Sequence, residues 1–113
     1  MQIREETHDG VLVVAPIGRL DSNSSDDLEK ALRSRLDGRP RLVIDLGGVD
    51  YVSSAGLRVL LIAAKRMHET GGQLVLCGLA SSVHQIFEFA GFLRVFTIEA
   101  SRPEALARLA PAS

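Results

Sequence analysis

Apolar residues along the chain switch between two spacings, and the switches mark its elements. Val11-Leu12-Val13-Val14-Ala15 is an almost unbroken apolar run, as in a central strand covered on both faces. Ile3 to Thr7 precedes it, with His8-Asp9-Gly10 between. Asp-Gly between β-formers is a strong hairpin signal, so an antiparallel pair is predicted, its second strand running from Val11 to Ile17. Pro16 falls near the end of that strand, where a missing N–H costs least. After the loop Gly18-Arg19-Leu20-Asp21-Ser22-Asn23-Ser24 the spacing becomes helical, with Leu28, Ala31, Leu32 and Leu36 on one face and charges on the other. Ser24 with Asp27 resembles a capping box, Asp37-Gly38 ends the helix, and Pro40 prevents its continuation. Leu42-Val43-Ile44 reads as a short buried strand ending at Asp45.

A second helix is predicted from about Ser54 to Glu69, with the core stripe Leu57, Leu60, Leu61, Ala64 and Met67, and Gly71-Gly72 closing it. Leu74-Val75-Leu76-Cys77 is a further strand. Ser82 and Gln85 predict a capping box for a helix over Val83 to Ala90. Gly91 would end it in the left-handed conformation, with Phe92 packing back on Phe87. Val95-Phe96-Thr97-Ile98 reads as the last strand. Ser101-Arg102-Pro103-Glu104 opens a final helix, which Pro111 stops.

The order ββαβαβαβα with short connections predicts an α/β fold. It would hold a single mixed, mostly parallel sheet of about five strands with about four helices. The 113 residues suit one domain spanning 1–113. Loops at the carboxyl ends of such strands are where function is placed. Gly18-to-Ser24 and Asp45-to-Ser54 are two loops of that kind.

Composition narrows the function classes. A net charge of −1 without a Lys/Arg cluster offers no field for nucleic acid or anionic lipid. With no Trp, one Tyr and four Phe there is little material for stacking single-stranded bases. The one cysteine, Cys77, fits a reducing compartment and reads as an inert core thiol. No apolar run has the length of a membrane span, and the first residues lack a signal peptide's apolar segment, so a cytoplasmic location without direct membrane insertion is expected.

The chemistry concentrates between Asp45 and Leu61. Ser53 and Ser54 open a helix, where unpaired N–H groups and the positive dipole end favour an anion, including a phosphoserine. A helix-starting serine also caps, and the residues alone leave capping, phosphate acceptance or both open. Hydrolase chemistry is rejected: Val52-Ser53-Ser54-Ala55-Gly56 is not a nucleophile elbow, and His8, His68 and His84 are not placed to serve Ser54. Gly47-Gly48 lacks the lysine and helix of a phosphate loop. Asp21, Asp45 and Asp50 surround the stretch without the spacing of a calcium loop, so no metal is expected. Gly56 in the first turn serves either close packing against a strand or access of a partner to the serine. Opposite the core stripe, Ala55, Arg58, Ile62, Lys65 and Glu69 align, setting the branched apolar Ile62 between two cations as a docking surface.

Four segments carry a resemblance to a known family: Gly18-Arg19-Leu20-Asp21, Leu42-Val43-Ile44-Asp45-Leu46, Val49-Asp50-Tyr51-Val52-Ser53-Ser54-Ala55-Gly56-Leu57-Arg58-Val59-Leu60-Leu61, and Gly72-Gln73-Leu74-Val75-Leu76-Cys77-Gly78. The chain resembles the STAS domain of bacterial anti-sigma factor antagonists and of sulfate-transporter tails. Its length is similar to the antagonists'. The resemblance implies a domain that binds an anti-sigma factor with serine-kinase activity and releases it once phosphorylated. A PP2C-type phosphatase then resets it. The family motif Asp-Ser-(Ser/Thr/Ala)-Gly maps the acceptor to Ser54 and puts Ser53 where the aspartate stands, leaving Ser53 as an alternative acceptor. Asp21 matches the family's acidic residue beside the acceptor, connected with kinase contact and nucleotide binding.

The resulting expectation is a non-enzymatic module without a cofactor of its own, the phosphate coming from ATP through the partner kinase. Ser54 accepts it, and Asp21, Ser22, Asp50, Ser53, Gly56, Leu57, Arg58, Ile62 and Lys65 meet the partner. No oligomer is required. The alternative is a constitutive STAS adaptor subunit of a membrane transporter complex, never phosphorylated.

Overall fold

The computed structural model describes residues 1–36 and 41–109. The stops expected at Asp37-Gly38, Pro40 and Pro111 lie outside the described residues. In chain order the elements are β1 (Gln2–His8), β2 (Val11–Leu20), α1 (Ser25–Leu36), β3 (Arg41–Asp45), β4 (Val49–Val52), α2 (Ser54–Glu69), β5 (Gln73–Cys77), α3 (Ser81–Phe89), β6 (Thr97–Glu99) and α4 (Arg102–Arg108). The sheet runs β1-β2-β3-β5-β6, with β4 added beside β2. Among the described residues, β1 alone is antiparallel to its neighbour.

The hairpin forms as the Asp-Gly signal predicts. His8 pairs with Val11, and Asp9 (φ 51°) and Gly10 (φ 81°) both turn through positive φ, as a two-residue I′ connection requires. The sixth strand, β4, lies within a stretch that reads as loop. Val49 and Val52 are buried while Asp50 and Tyr51 are exposed, so no period-two pattern marks it. It exists because β2 is ten residues long and outruns β3. Leu12 to Val14 pair with β3, leaving Gly18 to Leu20 to pair with Val49 to Val52 after a register shift at Gly18/Arg19. The predicted loop therefore starts only at Asp21.

Alternation along the central strands divides the core. Leu12, Val14, Leu42, Ile44 and Leu76 face α1, α2 and α3, whereas Val11, Val13, Val43, Val75 and Cys77 face Ala105 and Leu109 on the α4 side. On α2 the buried set is Gly56, Leu57, Val59, Leu60, Ala63 and Met67, with Leu61 and Ala64 partly buried. The stripe is wider than predicted because α2 packs against both the sheet and α1.

Helix ends follow their signals unevenly. At α2, Gly71 (φ 75°) donates to the His68 carbonyl (3.2 Å) and Gly72 to Met67 (2.7 Å). At α3, Gly91 takes φ 74° and the Phe92 N–H donates to the Phe87 carbonyl at 2.8 Å. The rings of Phe87 and Phe92 each meet Phe96 edge-on, at 5.6 and 6.1 Å. Ser101 caps α4 by accepting from the Glu104 N–H at 3.4 Å. The other two capping boxes are absent. The Ser24 hydroxyl turns back, donating to the Arg19 carbonyl and accepting from the Asp21 N–H. Ser82 lies inside α3, whose N-cap is Ala80 and makes no side-chain cap bond. The last strand starts at Thr97, not Val95, because the Val95 and Phe96 amides bond the Phe92 carbonyl in a turn. Among the described residues no helix is long and apolar enough to cross a membrane.

Candidate functional site

The start of α2 is held by the β2–β4 ladder. Leu20 pairs with Val52, and the Ser53 N–H donates to the Leu20 carbonyl at 2.8 Å. Asp21 therefore lies beside Ser53 across the ladder's end. Ser53 is extended (φ −85°, ψ 174°) and its hydroxyl accepts from the Gly56 N–H at 3.3 Å, which makes it the N-cap. Ser54 is the first helical residue and exposed, and its hydroxyl has no hydrogen-bond partner among the described residues. The two serines thus differ in the surroundings of their hydroxyls. One closes the helix end, and the other presents a free hydroxyl at the positive end of the dipole.

Asp21 is half-buried at the end of β2 and organises the adjoining loop. Its Oδ1 accepts from the amides of Asn23 (3.0 Å) and Ser24 (3.2 Å), and its Oδ2 lies 3.7 Å from Arg19 Nε. Partial desolvation pushes the carboxyl up. The two amides, the Ser24 hydroxyl and the Arg19 guanidinium outweigh it and hold the group below the ordinary Asp value. Arg19 also lies over the Tyr51 ring, 4.3 Å from its centroid. Sequence reasoning assigned neither Arg19 nor Tyr51 a role. Only the β2–β4 register, which pairs them, brings them together.

Gly56 has a packing role. A Cβ there would stand 2.8 Å from both the Leu20 Cγ and the Leu20 carbonyl oxygen, and 3.1 Å from Val52 Cγ1. Gly56 and Leu57 are buried: the helix start must sit close on the β2–β4 ladder, and a side chain at Gly56 would hold it off. Ser22, Asp50, Arg58 and Lys65 are exposed. Ile62 is 43% exposed, and it does not stand alone between cations. It forms one wall of a groove of about 260 Å³ between α1 and α2, shared with Leu32, Leu36, Val59 and Ala63.

Asp45 leaves the cluster in which the sequence placed it. Strand alternation turns it to the α4 side, where it accepts from the Gly47 N–H (2.9 Å) and from Arg102 Nε (2.8 Å). Arg102 also pairs with Glu6. The carboxylates Asp21, Asp45 and Asp50 are thus not assembled into one site. Cys77, opposite Asp45 in the register, is fully buried. Burial, and next to it the Asp45 charge, push its thiol up to about 12 against the pull of Arg102. His8 lies by the hairpin, His68 at the far end of α2, and His84 is exposed on α3.

Comparison with known proteins adds to this geometry. The family profile of the STAS domain matches residues 2–105. BtrV of Bordetella bronchiseptica, named for the anti-sigma factor antagonists, is 42% identical over 108 residues, which cover 95% of this chain and 93% of that protein. The anti-sigma F factor antagonist of Paenibacillus polymyxa is 29% identical over 111 residues, 96% of this chain and 95% of that one. Among solved structures, an anti-sigma factor antagonist from Mycobacterium paratuberculosis is similar at a TM-score of 0.89 and 26% identity, covering 97% of this chain and 94% of that chain.

Proposed function

This chain belongs to the STAS domain family, and from that premise we propose that it is an anti-sigma factor antagonist, a binding module switched off by phosphorylation of Ser54. One observation carries the choice of residue: the Ser54 hydroxyl is exposed and has no hydrogen-bond partner among the described residues, whereas that of Ser53 is engaged with the Gly56 amide. In its unmodified form the module binds an anti-sigma factor that is also a serine kinase, so that the sigma factor goes free. The kinase transfers phosphate from ATP to Ser54 Oγ, and a PP2C-type phosphatase hydrolyses it. The chain itself carries out no chemistry, needs no cofactor and works in the cytoplasm.

The physics of the switch is local. A phosphate adds about −1.5 to −2 charge at a helix N-terminus, where the dipole tolerates it and the fold survives. Asp21 beside the site, and Asp50 on the same ladder, add like charge. A partner surface shaped for a neutral hydroxyl then faces a poorly solvated dianion. One such charge costs about a few kcal/mol, which lowers affinity by orders of magnitude without any large conformational change.

The test is incubation with ATP and a kinase-type anti-sigma factor, read by intact mass and peptide mapping. Mass is added at Ser54, Ser54→Asp abolishes binding and Ser54→Ala binds constitutively. Phosphorylation of the Ser54→Ala protein moves the acceptor to Ser53. Binding with no mass added at either serine replaces the switch by a constitutive adaptor, as in a transporter complex.

A further inference from the structure

We propose that a phosphate on Ser54 is held by Arg58, one helical turn further along α2, so that modification takes a cation off the exposed face of the helix as well as adding an anion. This rests on the reading of Ser54 as the acceptor and concerns what the phosphate does once it is there. Both residues are exposed on α2. Residues four apart on a helix have Cβ atoms about 5–6 Å from each other, and a long helical side chain points back towards the N-terminus. The Arg58 guanidinium therefore reaches the turn that carries Ser54. The same chain shows this geometry elsewhere: on α1, Arg33 Nη2 meets Glu29 Oε1, four residues before it, at 3.2 Å.

Arg58 has no other partner to take. Among the described residues it makes no ion pair or hydrogen bond. Its neighbours three and four residues away on the helix are Ser54, Ala55, Leu61 and Ile62, and of these Ser54 alone can acquire a charge. The first turn of α2 carries no acid, whereas α1 begins with Asp26 and Asp27. Of the acids near the site, Asp21 is engaged by the amides of Asn23 and Ser24 and by Arg19, and Asp50 forms no ion pair among the described residues. A phosphoserine brings a charge of about −1.5 to −2 and three acceptor oxygens, which the planar fork of a guanidinium takes two at a time. The modified face then lacks the free cation that the unmodified face presents. A partner that meets Arg58 loses an attraction as it gains a repulsion.

The test uses the full chain with phosphoserine installed at position 54 during synthesis, so that it does not depend on the kinase. Followed by phosphorus NMR, the phosphate of the wild-type chain titrates about half a pH unit lower than that of Arg58→Gln, because a nearby cation favours the dianion. Asp21 and Asp50 push the other way in both proteins alike. Phosphoserine also raises the melting temperature of the wild-type chain by about 2–4 °C, and that of Arg58→Gln by less than half as much. Arg58→Lys retains both effects. A titration indifferent to Arg58, or a thermal gain indifferent to it, overturns the proposal, as does a loss that Arg58→Lys fails to restore. The switch and the pairing fail separately. A kinase that leaves Ser54 unmodified removes the switch without touching these outcomes, and a phosphate indifferent to Arg58 removes the pairing and leaves the switch standing.

Discussion

Ser53 stands where the family motif has aspartate, and its geometry explains why the exchange is tolerable. Serine and aspartate are both good N-caps, so Ser53 keeps the bond to the Gly56 amide while giving up the charge. The acidic character of the site then rests on Asp21 and Asp50. Asp21 carries a pH signature. Its folded pKa is held below the ordinary value, so its charge stabilises the fold above the unfolded pKa, and that contribution is lost as pH falls through the folded value. Asp21→Asn keeps the acceptor and removes the charge. Its deficit relative to wild type in denaturant melts is expected at neutral pH and should vanish in acid below the ordinary Asp range. Gly56 makes the opposite case, in which packing overrules propensity. Alanine gains about 1 kcal/mol of helix propensity, but its Cβ meets a backbone oxygen and Leu20 at 2.8 Å, and neither can retreat cheaply. Gly56→Ala is expected to lower stability by up to about 2 kcal/mol net, since overpacking costs about 1–3 kcal/mol, as measured by urea unfolding.

At the scale of elements, α2 combines the roles that matter. Its first turn presents Ser54, its inner face fills the core between sheet and α1, and Ile62 rims the α1–α2 groove. Ile62→Glu is therefore expected to weaken binding of the anti-sigma partner by about tenfold, as truncating an interface anchor does, with the melting temperature essentially unchanged. Calorimetric titration beside a thermal melt checks both halves. A lower melting temperature with intact binding would return Ile62 to the core. On the other side of the sheet, α4 is a seven-residue helix, too short to be stable alone, and is held by Ala105, Leu109 and the bonds of Arg102 to Asp45 and Glu6. Arg102→Ala leaves the largely shielded Asp45 carboxylate without its cation. A loss of about 1–2 kcal/mol is expected in the urea midpoint, the scale of a charge-assisted hydrogen bond in a half-exposed setting.

Over the whole molecule, the proposed phospho-acceptor and the cluster that holds α4 are kept at different places. The Ser54 end lies where the β2–β4 ladder stops. The Asp45–Arg102–Cys77 cluster, on the opposite face, ties α4 to the sheet. The hairpin, the three longer helices and the short apolar strands β3 and β5 were legible in the sequence, because each rests on local rules: Asp-Gly turn chemistry, helical spacing and buried apolar runs. The motif around Ser53 and Ser54 was legible for the same reason. β4 was not, since four residues patterned buried-exposed-exposed-buried become a strand only when a long neighbour leaves backbone groups to be paired. Sequence by itself determined the α/β order, the family and the pair of serines at the start of α2. Tertiary structure decided which serine caps and which is free, that Gly56 and Leu57 belong to packing, that Asp45 serves α4, and that Arg19 rests on Tyr51. Each of those choices depends on the register between strands far apart in the chain, and local spacing does not encode that register.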